Sequence, residues 1–251
     1  MTSFNAGQEI AFIGLTFLLA GFVKGVVGLG LPTVAVGLLG LVMPPAQAAA
    51  LLVAPSMATN VVQLFGGPRF GQLLVRLWPM LAAICAGTWL CAALVPARVM
   101  GHATNALGVA LVLYAILGLT AVRLSVPPRA EAWLAPLAGL VTGAITAVTG
   151  VFVIPAVPYL QGLGLDKEGM VQALGLSFTV STIALAISLA LNGALLHTPV
   201  LGASALALAP ALGGMFFGQW LRHRISAERF RRLFFCGLLL LGADLALRGA
   251  F

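Results

Sequence analysis

The sequence contains very little charge: only 8% of its 251 residues are charged, and only six residues are acidic. A soluble domain of this length carries about 25% charged residues, which keep its surface hydrated. Here 61% of the residues are hydrophobic and the mean hydropathy is +1.10, so polar groups are too few to cover a globule. The outer surface must face lipid, which excludes a soluble enzyme, a nucleic-acid-binding domain and a secreted disulfide scaffold.

The sequence also lacks the common catalytic and metal-binding motifs. It has no P-loop, no His-Glu-x-x-His motif, no paired intramembrane carboxylates and no Cys/His ligand set. We therefore expect no enzymatic activity, no cofactor and no metal site. The three cysteines, Cys85, Cys91 and Cys236, lie within apolar stretches, and we expect them to be small buried side chains without a disulfide.

What the chain does have is ten apolar segments separated by short gaps. A helix that crosses the hydrocarbon core needs about 20 residues, and six or seven of the segments are long enough. Two segments, at residues 31–42 and 151–163, are too short to cross alone, and each follows an interruption that contains Gly, Thr or Pro. The pattern predicts an all-α polytopic membrane protein with about 8–10 membrane segments, some of them interrupted.

The basic residues are concentrated in alternate gaps. The odd-numbered gaps hold ten of the 13 basic residues: Arg69, Arg76, Arg123, Arg129, Lys167, Arg222, Arg224, Arg229, Arg231 and Arg232. The even-numbered gaps and the termini hold only Arg98 and Arg248, and Lys24 lies inside the first segment. Under the positive-inside rule, this asymmetry places the odd gaps in the cytoplasm and both termini outside.

The two halves of the chain repeat one another. Residues 19–25 (LAGFVKG) match residues 137–143 (LAGLVTG) at five of seven positions, and residues 87–90 (GTWL) match residues 218–221 (GQWL). The first copy begins outside and the second begins after a cytoplasmic gap, so the copies are inverted in the membrane. Two inverted repeats with interrupted helices are typical of secondary transporters.

This repeat divides the chain into three parts. We predict a first membrane repeat at residues 1–122, a cytoplasmic linker at residues 123–131 and a second membrane repeat at residues 132–251.

Each repeat contains one helix break, at residues 28–32 (GLGLP) and at residues 146–155 (TAVTGVFVIP). A helix that restarts inside a membrane exposes unpaired N–H groups, and its dipole favours negative charge at that end. Such groups must line a protein cavity or meet a ligand, unless Gly and Pro serve here only to pack helices closely. The breaks predict a central anion site with contributions from Gly28, Gly30, Thr149 and Gly150.

Lys24 is the one charged residue deep inside a segment, 14 residues after Ile10 and so about 21 Å along a helix. Burying a charge at mid-bilayer costs roughly 3 kcal/mol or more. One interpretation is that Lys24 attracts an anion or takes part in coupling beside the first break. The alternative is that its side chain snorkels to the cytoplasmic headgroups. Its counterpart in the second repeat is Thr142.

Polar side chains concentrate in the third segment of each repeat. Hydroxyls and amides hydrogen-bond an oxyanion without placing another charge in the membrane, although such residues also join helices to one another. We expect part of this set to line the site, and the candidates are Ser56, Thr59, Asn60, Ser181 and Thr182.

The glycine-rich openings of the two repeats resemble those of the sulfite exporter TauE/SafE family. The residues that carry the resemblance are Gly21-x3-Gly25-x2-Gly28-x-Gly30-x-Pro32 in the first copy and Gly139-x3-Gly143, Thr149-Gly150 and Pro155 in the second. Members of this family are built from two related halves. The resemblance implies a bacterial-type membrane carrier of small sulfur-containing anions such as sulfite, thiosulfate or organosulfonates, and it does not fix the substrate, the direction or the coupling ion. We expect an exporter in the inner membrane.

Two other functions fit the same residues. A carrier of this architecture could transport a non-sulfur carboxylate, or the chain could be a non-transporting scaffold subunit in a membrane assembly. The expected partners are a small anionic substrate and membrane lipids, and not nucleic acid. A coupling ion, either proton or sodium, and self-association are both left open by the sequence.

We predict that topology reporters place Arg69, Arg123 and Arg222 in the cytoplasm and both termini outside. The reason is that the odd-numbered gaps hold ten basic residues, whereas the even-numbered gaps and the termini together hold two. Reporter fusions, or labelling of single cysteines in intact cells, measure this directly. A cytoplasmic N-terminus would contradict the orientation and the inversion of the repeats together.

Overall fold

The computed structural model describes residues 6–96, 101–120, 125–194, 198–222 and 224–248, and within them the chain forms ten α-helices and no strand. The helices of the first half are α1 (Ala6–Val27), α2 (Leu31–Leu39), α3 (Pro45–Leu64), α4 (Phe70–Leu94) and α5 (Ala103–Thr120). Those of the second half are α6 (Pro128–Thr149), α7 (Ala156–Gly162), α8 (Lys167–Leu191), α9 (Thr198–Leu221) and α10 (Ala227–Leu247). Arg98 and Arg123 of the charge partition lie outside the described residues.

Six of the helices are long and apolar enough to cross a membrane, namely α1, α4, α5, α6, α8 and α9. The two short segments of the sequence become α2, with nine residues, and α7, with seven. The prediction of an all-α polytopic membrane protein with interrupted helices is confirmed.

The helices of the two halves pack in exchanged pairs. α1 packs on α9 and α4 packs on α6, while α3 packs on α8 and α5 packs on α10. When α1 to α5 are matched in order with α6 to α10, the α1–α9 contact corresponds to the α6–α4 contact. The α3–α8 contact and the α5–α10 contact each correspond to themselves. The packing therefore has the twofold exchange that two repeated halves produce.

The repeated sequence motifs form two equivalent helix crossings. The contacts are Gly21 on Ala211 and Gly25 on Met215 between α1 and α9, and Gly139 on Met80 and Gly143 on Ile84 between α6 and α4. At each glycine a Cβ would collide with a carbonyl oxygen of the facing helix, so the backbones approach this closely only because the side chain is absent. The glycines of the two crossings are 118 residues apart and their partners 131 residues apart, which makes the contacts equivalent pair by pair.

The pair formed by α3 and α8 lies at the centre of the bundle. The share of buried residues is 61% in the apolar stretch of α8 and only 33% in those of α4 and α9. Gly175 of α8 packs against the backbone of Gln63 and Leu64 on α3. The polar residues of the third segment in each repeat therefore meet in the interior and not at the lipid surface.

Pro55 interrupts the hydrogen bonding of α3 directly before the polar residues of that helix. A proline inside a helix has no N–H for the carbonyl four residues earlier, which here is that of Leu51. The Ser204 hydroxyl of α9 donates to the Leu51 carbonyl at 2.9 Å. A neighbouring helix thus satisfies the freed carbonyl, as a membrane interior requires.

The odd-numbered gaps lie together at one end of the bundle. Arg69 pairs with Asp166 at 2.7 Å, which joins the loop before α4 to the loop before α8. Lys167, Arg222 and Arg231 line one shared cavity beside that loop. We call this end the basic end and define it by Arg69, Asp166, Lys167, Arg222 and Arg231. At the opposite end the Arg248 guanidinium donates to the Leu41 carbonyl at 3.1 Å.

The cysteines are all free, but not all of them are buried. Cys85 and Cys91 are half-buried, and Cys236 is exposed. The expectation of burial is wrong for Cys236, because the exposed surface of a membrane helix faces lipid tails that are as apolar as a protein interior.

We predict that Gly25→Val lowers the melting temperature markedly, whereas Gly14→Val leaves it nearly unchanged. A side chain at Gly25 meets the backbone of α9, but a Cβ at Gly14 meets no atom within 4 Å. Overpacking of this kind costs about 1–3 kcal/mol or more. Thermal unfolding of both variants in the same detergent measures the difference, and equal melting temperatures would show that this crossing is not tightly packed.

Candidate functional site

The first helix break separates α1 from α2 through two glycines with left-handed backbone angles. Gly28 has a φ of 85° and Gly30 a φ of 110°, a region that other residues rarely adopt. Pro32 lies in the first turn of α2, where a missing N–H carries no penalty. The space beside Gly30 is occupied by the side chains of Val23 and Phe234.

The second break satisfies part of its own polar backbone. Gly150 ends α6 with a φ of 73°, and the Thr149 hydroxyl accepts a hydrogen bond from the Val151 N–H at 3.1 Å. The Thr142 hydroxyl accepts one from the Ala156 N–H, at the start of α7, also at 3.1 Å. The counterpart of Lys24 is thus used to cap the restarted helix.

The two breaks lie at different levels of α2. Gly150 packs against Ala49 and Val36, and Val36 is about 7.5 Å along α2 from its first residue. Within the described residues, no hydrogen bond joins Gly28 or Gly30 to the residues of the second break. The structure brings each break close to α2 but does not combine them into one hydrogen-bonded group.

Lys24 is fully enclosed in the protein. Its side chain is only 1% exposed, and its Nζ donates to Thr59 Oγ1 at 3.0 Å and to Asn60 Oδ1. Both partners lie on α3. The alternative in which Lys24 snorkels to the headgroups is therefore wrong, because the ammonium end of the side chain points towards the central helix.

The hydrogen bonds continue from Lys24 across the bundle. Asn60 Nδ2 donates to Ser56 Oγ at 3.1 Å and to Thr182 Oγ1 at 3.2 Å, and the two hydroxyls are 3.2 Å apart. We call these five residues, Lys24, Thr59, Asn60, Ser56 and Thr182, the Lys24 network. It joins α1, α3 and α8, and it contains half of the ten site residues proposed from the sequence.

The protein provides no carboxylate for Lys24. All six acidic side chains belong to described residues, and none forms an ion pair with Lys24. Four of them pair with arginine, as Arg69–Asp166, Arg76–Glu131, Arg232–Glu228 and Arg248–Asp244. Glu9 and Glu168 are exposed. A protonated Lys24 is thus a buried cation whose hydrogen-bond partners are all neutral.

Other buried polar atoms lie close to the network but have no partner. Gln63 Nε2 donates to the Gly28 carbonyl at 2.7 Å, which fastens the first break to α3, whereas Gln63 Oε1 is unpartnered. The hydroxyls of Ser177 and Ser181 on α8 are also buried and unpartnered within the described part of the chain. Gln63 belongs to the polar set of the third segment, and its spacing from Thr59 and Asn60 places it on the same face of α3; its contact with Gly28 comes from the structure alone.

A cavity of about 650 Å³ opens at the basic end. We call it the basic cavity, because Lys167, Arg222 and Arg231 line it and no Asp or Glu does. Leu174 is among its apolar wall residues, and Tyr114 contributes a buried hydroxyl without a partner. In the sequence Lys167, Arg222 and Arg231 counted only towards the cytoplasmic charge of the odd-numbered gaps.

The deep part of the basic cavity leads towards the Lys24 network. Val27 lines the cavity and lies about one helical turn from Lys24 on α1. Leu174 of α8 also lines it, and Ser177 and Ser181 follow on the same face at helical spacing. The unpartnered hydroxyls and the buried amine are therefore about one or two turns beyond the cavity lining.

Comparison with known proteins gives one match. The family model described as sulfite exporter TauE/SafE matches residues 13–245, which is nearly the whole chain. No curated protein matches the chain, and no solved structure matches it. The resemblance inferred from the glycine-rich openings is confirmed by a match that spans both repeats.

Proposed function

Because the chain belongs to the sulfite exporter TauE/SafE family, we propose that it is a secondary transporter of small sulfur-containing oxyanions such as sulfite, thiosulfate or organosulfonates. The six helices able to span a membrane are those of a multi-pass membrane protein. We further propose that it acts as an exporter and not as an enzyme, and that it lies in a bacterial inner membrane with both termini outside.

The buried Lys24 is the observation that carries this proposal. An unpaired charge in a protein interior costs several kcal/mol, and no acidic residue of the chain is placed to offset it. A bound anion supplies the missing negative charge and accepts hydrogen bonds from the ammonium group. The site therefore favours an anion over a neutral or cationic ligand.

The basic cavity is the access route that we propose for the anion. A cavity lined by charges of one sign and walled by apolar groups raises the local concentration of oppositely charged ligands. Beyond it, Ser177 and Ser181 provide hydroxyl donors that have no partner among the described residues and suit the oxygens of an oxyanion. In this proposal the breaks shape the backbone around the route, and Gly28 is held in place by Gln63.

Thermal stabilisation separates this function from its two rivals. A ligand that binds only the folded state raises the melting temperature of the purified protein. We expect stabilisation by sulfite, thiosulfate and a sulfonate at concentrations where a carboxylate of similar size has little effect. Equal or greater stabilisation by the carboxylate supports the carboxylate carrier, and no response to any anion supports the scaffold subunit.

We predict that Lys24→Met weakens anion binding about 10- to 100-fold without unfolding the protein, because it keeps the length of the side chain and removes a charge-assisted hydrogen bond. Lys24→Arg should be only partly tolerated, since guanidinium is bulkier and presents a different donor geometry. Uptake of labelled sulfite into reconstituted vesicles, together with anion-dependent melting, measures both effects.

The control for Lys24→Met is Arg129→Met, which removes one positive charge at an exposed position and should leave anion binding unchanged. Wild-type affinity and rate in Lys24→Met would remove Lys24 from the site.

We also predict that the double variant Arg222→Gln, Arg231→Gln raises the KM for anions presented at the basic end by roughly tenfold at low ionic strength. The effect should shrink in about 0.5 M salt, where exposed charges are screened. Arg232→Gln is the matched control, because Arg232 is exposed on α10 and pairs with Glu228. A KM change that is the same in both variants, or insensitive to salt, would argue against steering by the cavity.

A further inference from the structure

The number of hydrogen-bond acceptors around Lys24 equals the number of N–H groups on a neutral amine. A neutral amine has two N–H groups, while an ammonium has three and carries a full charge. Lys24 Nζ finds two acceptors, Thr59 Oγ1 and Asn60 Oδ1, and no third one among the residues described. Protonation therefore adds one N–H and one charge for which the protein provides no partner.

The protons of the rest of the Lys24 network can be assigned with two N–H groups on Lys24. The two amide hydrogens of Asn60 are directed at Ser56 and Thr182. The Thr59 hydroxyl donates to the Pro55 carbonyl at 2.8 Å and accepts from Lys24. The Thr182 hydroxyl donates within its own helix at 2.7 Å. The Ser56 hydroxyl is therefore the donor in its contact with Thr182 Oγ1. Every proton of the network is then assigned with an unprotonated Lys24, and no described residue lies within hydrogen-bond distance of Lys24 Nζ as a third acceptor.

No other titratable group faces Lys24 from the helices around it. The described side chains of α2, α3 and α9, which pack around α1 and the network, include no acidic, basic, cysteine or tyrosine residue. On α10 the titratable side chains are exposed or lie at the basic cavity, and they are Glu228, Arg229, Arg231, Arg232, Cys236 and Asp244. On α8 they are Lys167 and Glu168, both in the first turn.

We propose that Lys24 carries a proton together with the transported anion, so that the protein is a proton–anion symporter. The inference rests on the proposed transport function and names its coupling ion. In the empty site Lys24 is –NH2 and the network is satisfied. A proton from the water of the open cavity converts it to –NH3+, and the third N–H then donates to the anion, whose charge balances the ammonium. At the other side the anion leaves, the proton returns to water, and –NH2 is restored.

Binding of the two ligands is mutually reinforcing in this scheme. The proton gives the anion a charge to pair with, and the anion stabilises the proton on the buried amine, so each raises the affinity for the other. One proton and one singly charged anion cross with no net charge, whereas a doubly charged anion takes one negative charge across. The direction of net transport follows the sum of the anion and proton gradients, so net export, the direction proposed above, requires an outward anion gradient that exceeds any inward proton gradient.

The wild-type protein alone provides the main test. Vesicles containing the reconstituted protein and a trapped pH indicator are given an inward gradient of methanesulfonate, with the membrane potential clamped by potassium and valinomycin. Methanesulfonate is chosen because it stays ionised, so it cannot carry a proton itself. We expect the lumen to acidify by about one proton for each anion that enters, and an imposed pH gradient alone to drive anion accumulation.

The outcomes separate this inference from the proposed function. Methanesulfonate transport without lumen acidification overturns the proton coupling and leaves an anion carrier. No methanesulfonate movement at all overturns the transport of sulfonates and the coupling together. Lys24→Arg provides a second measurement, because guanidinium stays protonated: any anion transport that this variant retains should occur without proton movement, and retained coupling would show that the proton is carried elsewhere.

Discussion

The structure depends on the burial of one amine among neutral partners inside a lipid-enclosed bundle. Lys24 is 1% exposed, and among the described residues its amine bonds to Thr59 and Asn60 alone. In a membrane interior an unpaired charge or an unpaired polar group is costly, so the residues around Lys24 have to match its donors closely. That requirement explains why α3 and α8, the central pair, carry the amide and hydroxyl side chains that form the rest of the Lys24 network.

The glycine crossings keep this amine in place. Gly21 and Gly25 bring α1 into backbone contact with α9 on either side of Lys24 in the sequence, and Gly139 and Gly143 repeat the contact between α6 and α4. These close approaches set the rotation of α1 about its own axis, and with it the direction in which Lys24 faces α3. The twofold repeat is not exact at this position, because the equivalent of Lys24 is Thr142, which caps α7. One half therefore supplies a charge and the other half supplies a helix cap.

The residues of the Lys24 network could be anticipated from the sequence because membrane segments restrict polar residues so strongly. A lysine, an asparagine and several hydroxyl side chains inside apolar segments find no hydrogen-bond partner in lipid, so they pair with one another. Five of the proposed residues meet in this way in the Lys24 network. The prediction was weaker for residues at the ends of helices. Arg222 and Arg231 belong to a run of arginines that also fits a simple membrane anchor, and only their three-dimensional position shows that they line a cavity.

The sequence by itself determined that this is a helical membrane protein with two repeated halves, since composition, segment length and motif spacing depend only on local properties of the chain. It also determined where the helices break, because Gly28, Gly30 and Gly150 adopt backbone angles that glycine alone adopts readily. Only the tertiary structure decided that Lys24 points inward, that the two breaks lie at different levels of α2 and that no carboxylate reaches the site. These outcomes depend on how distant helices pack, and a local pattern carries no information about the partner that a buried side chain meets.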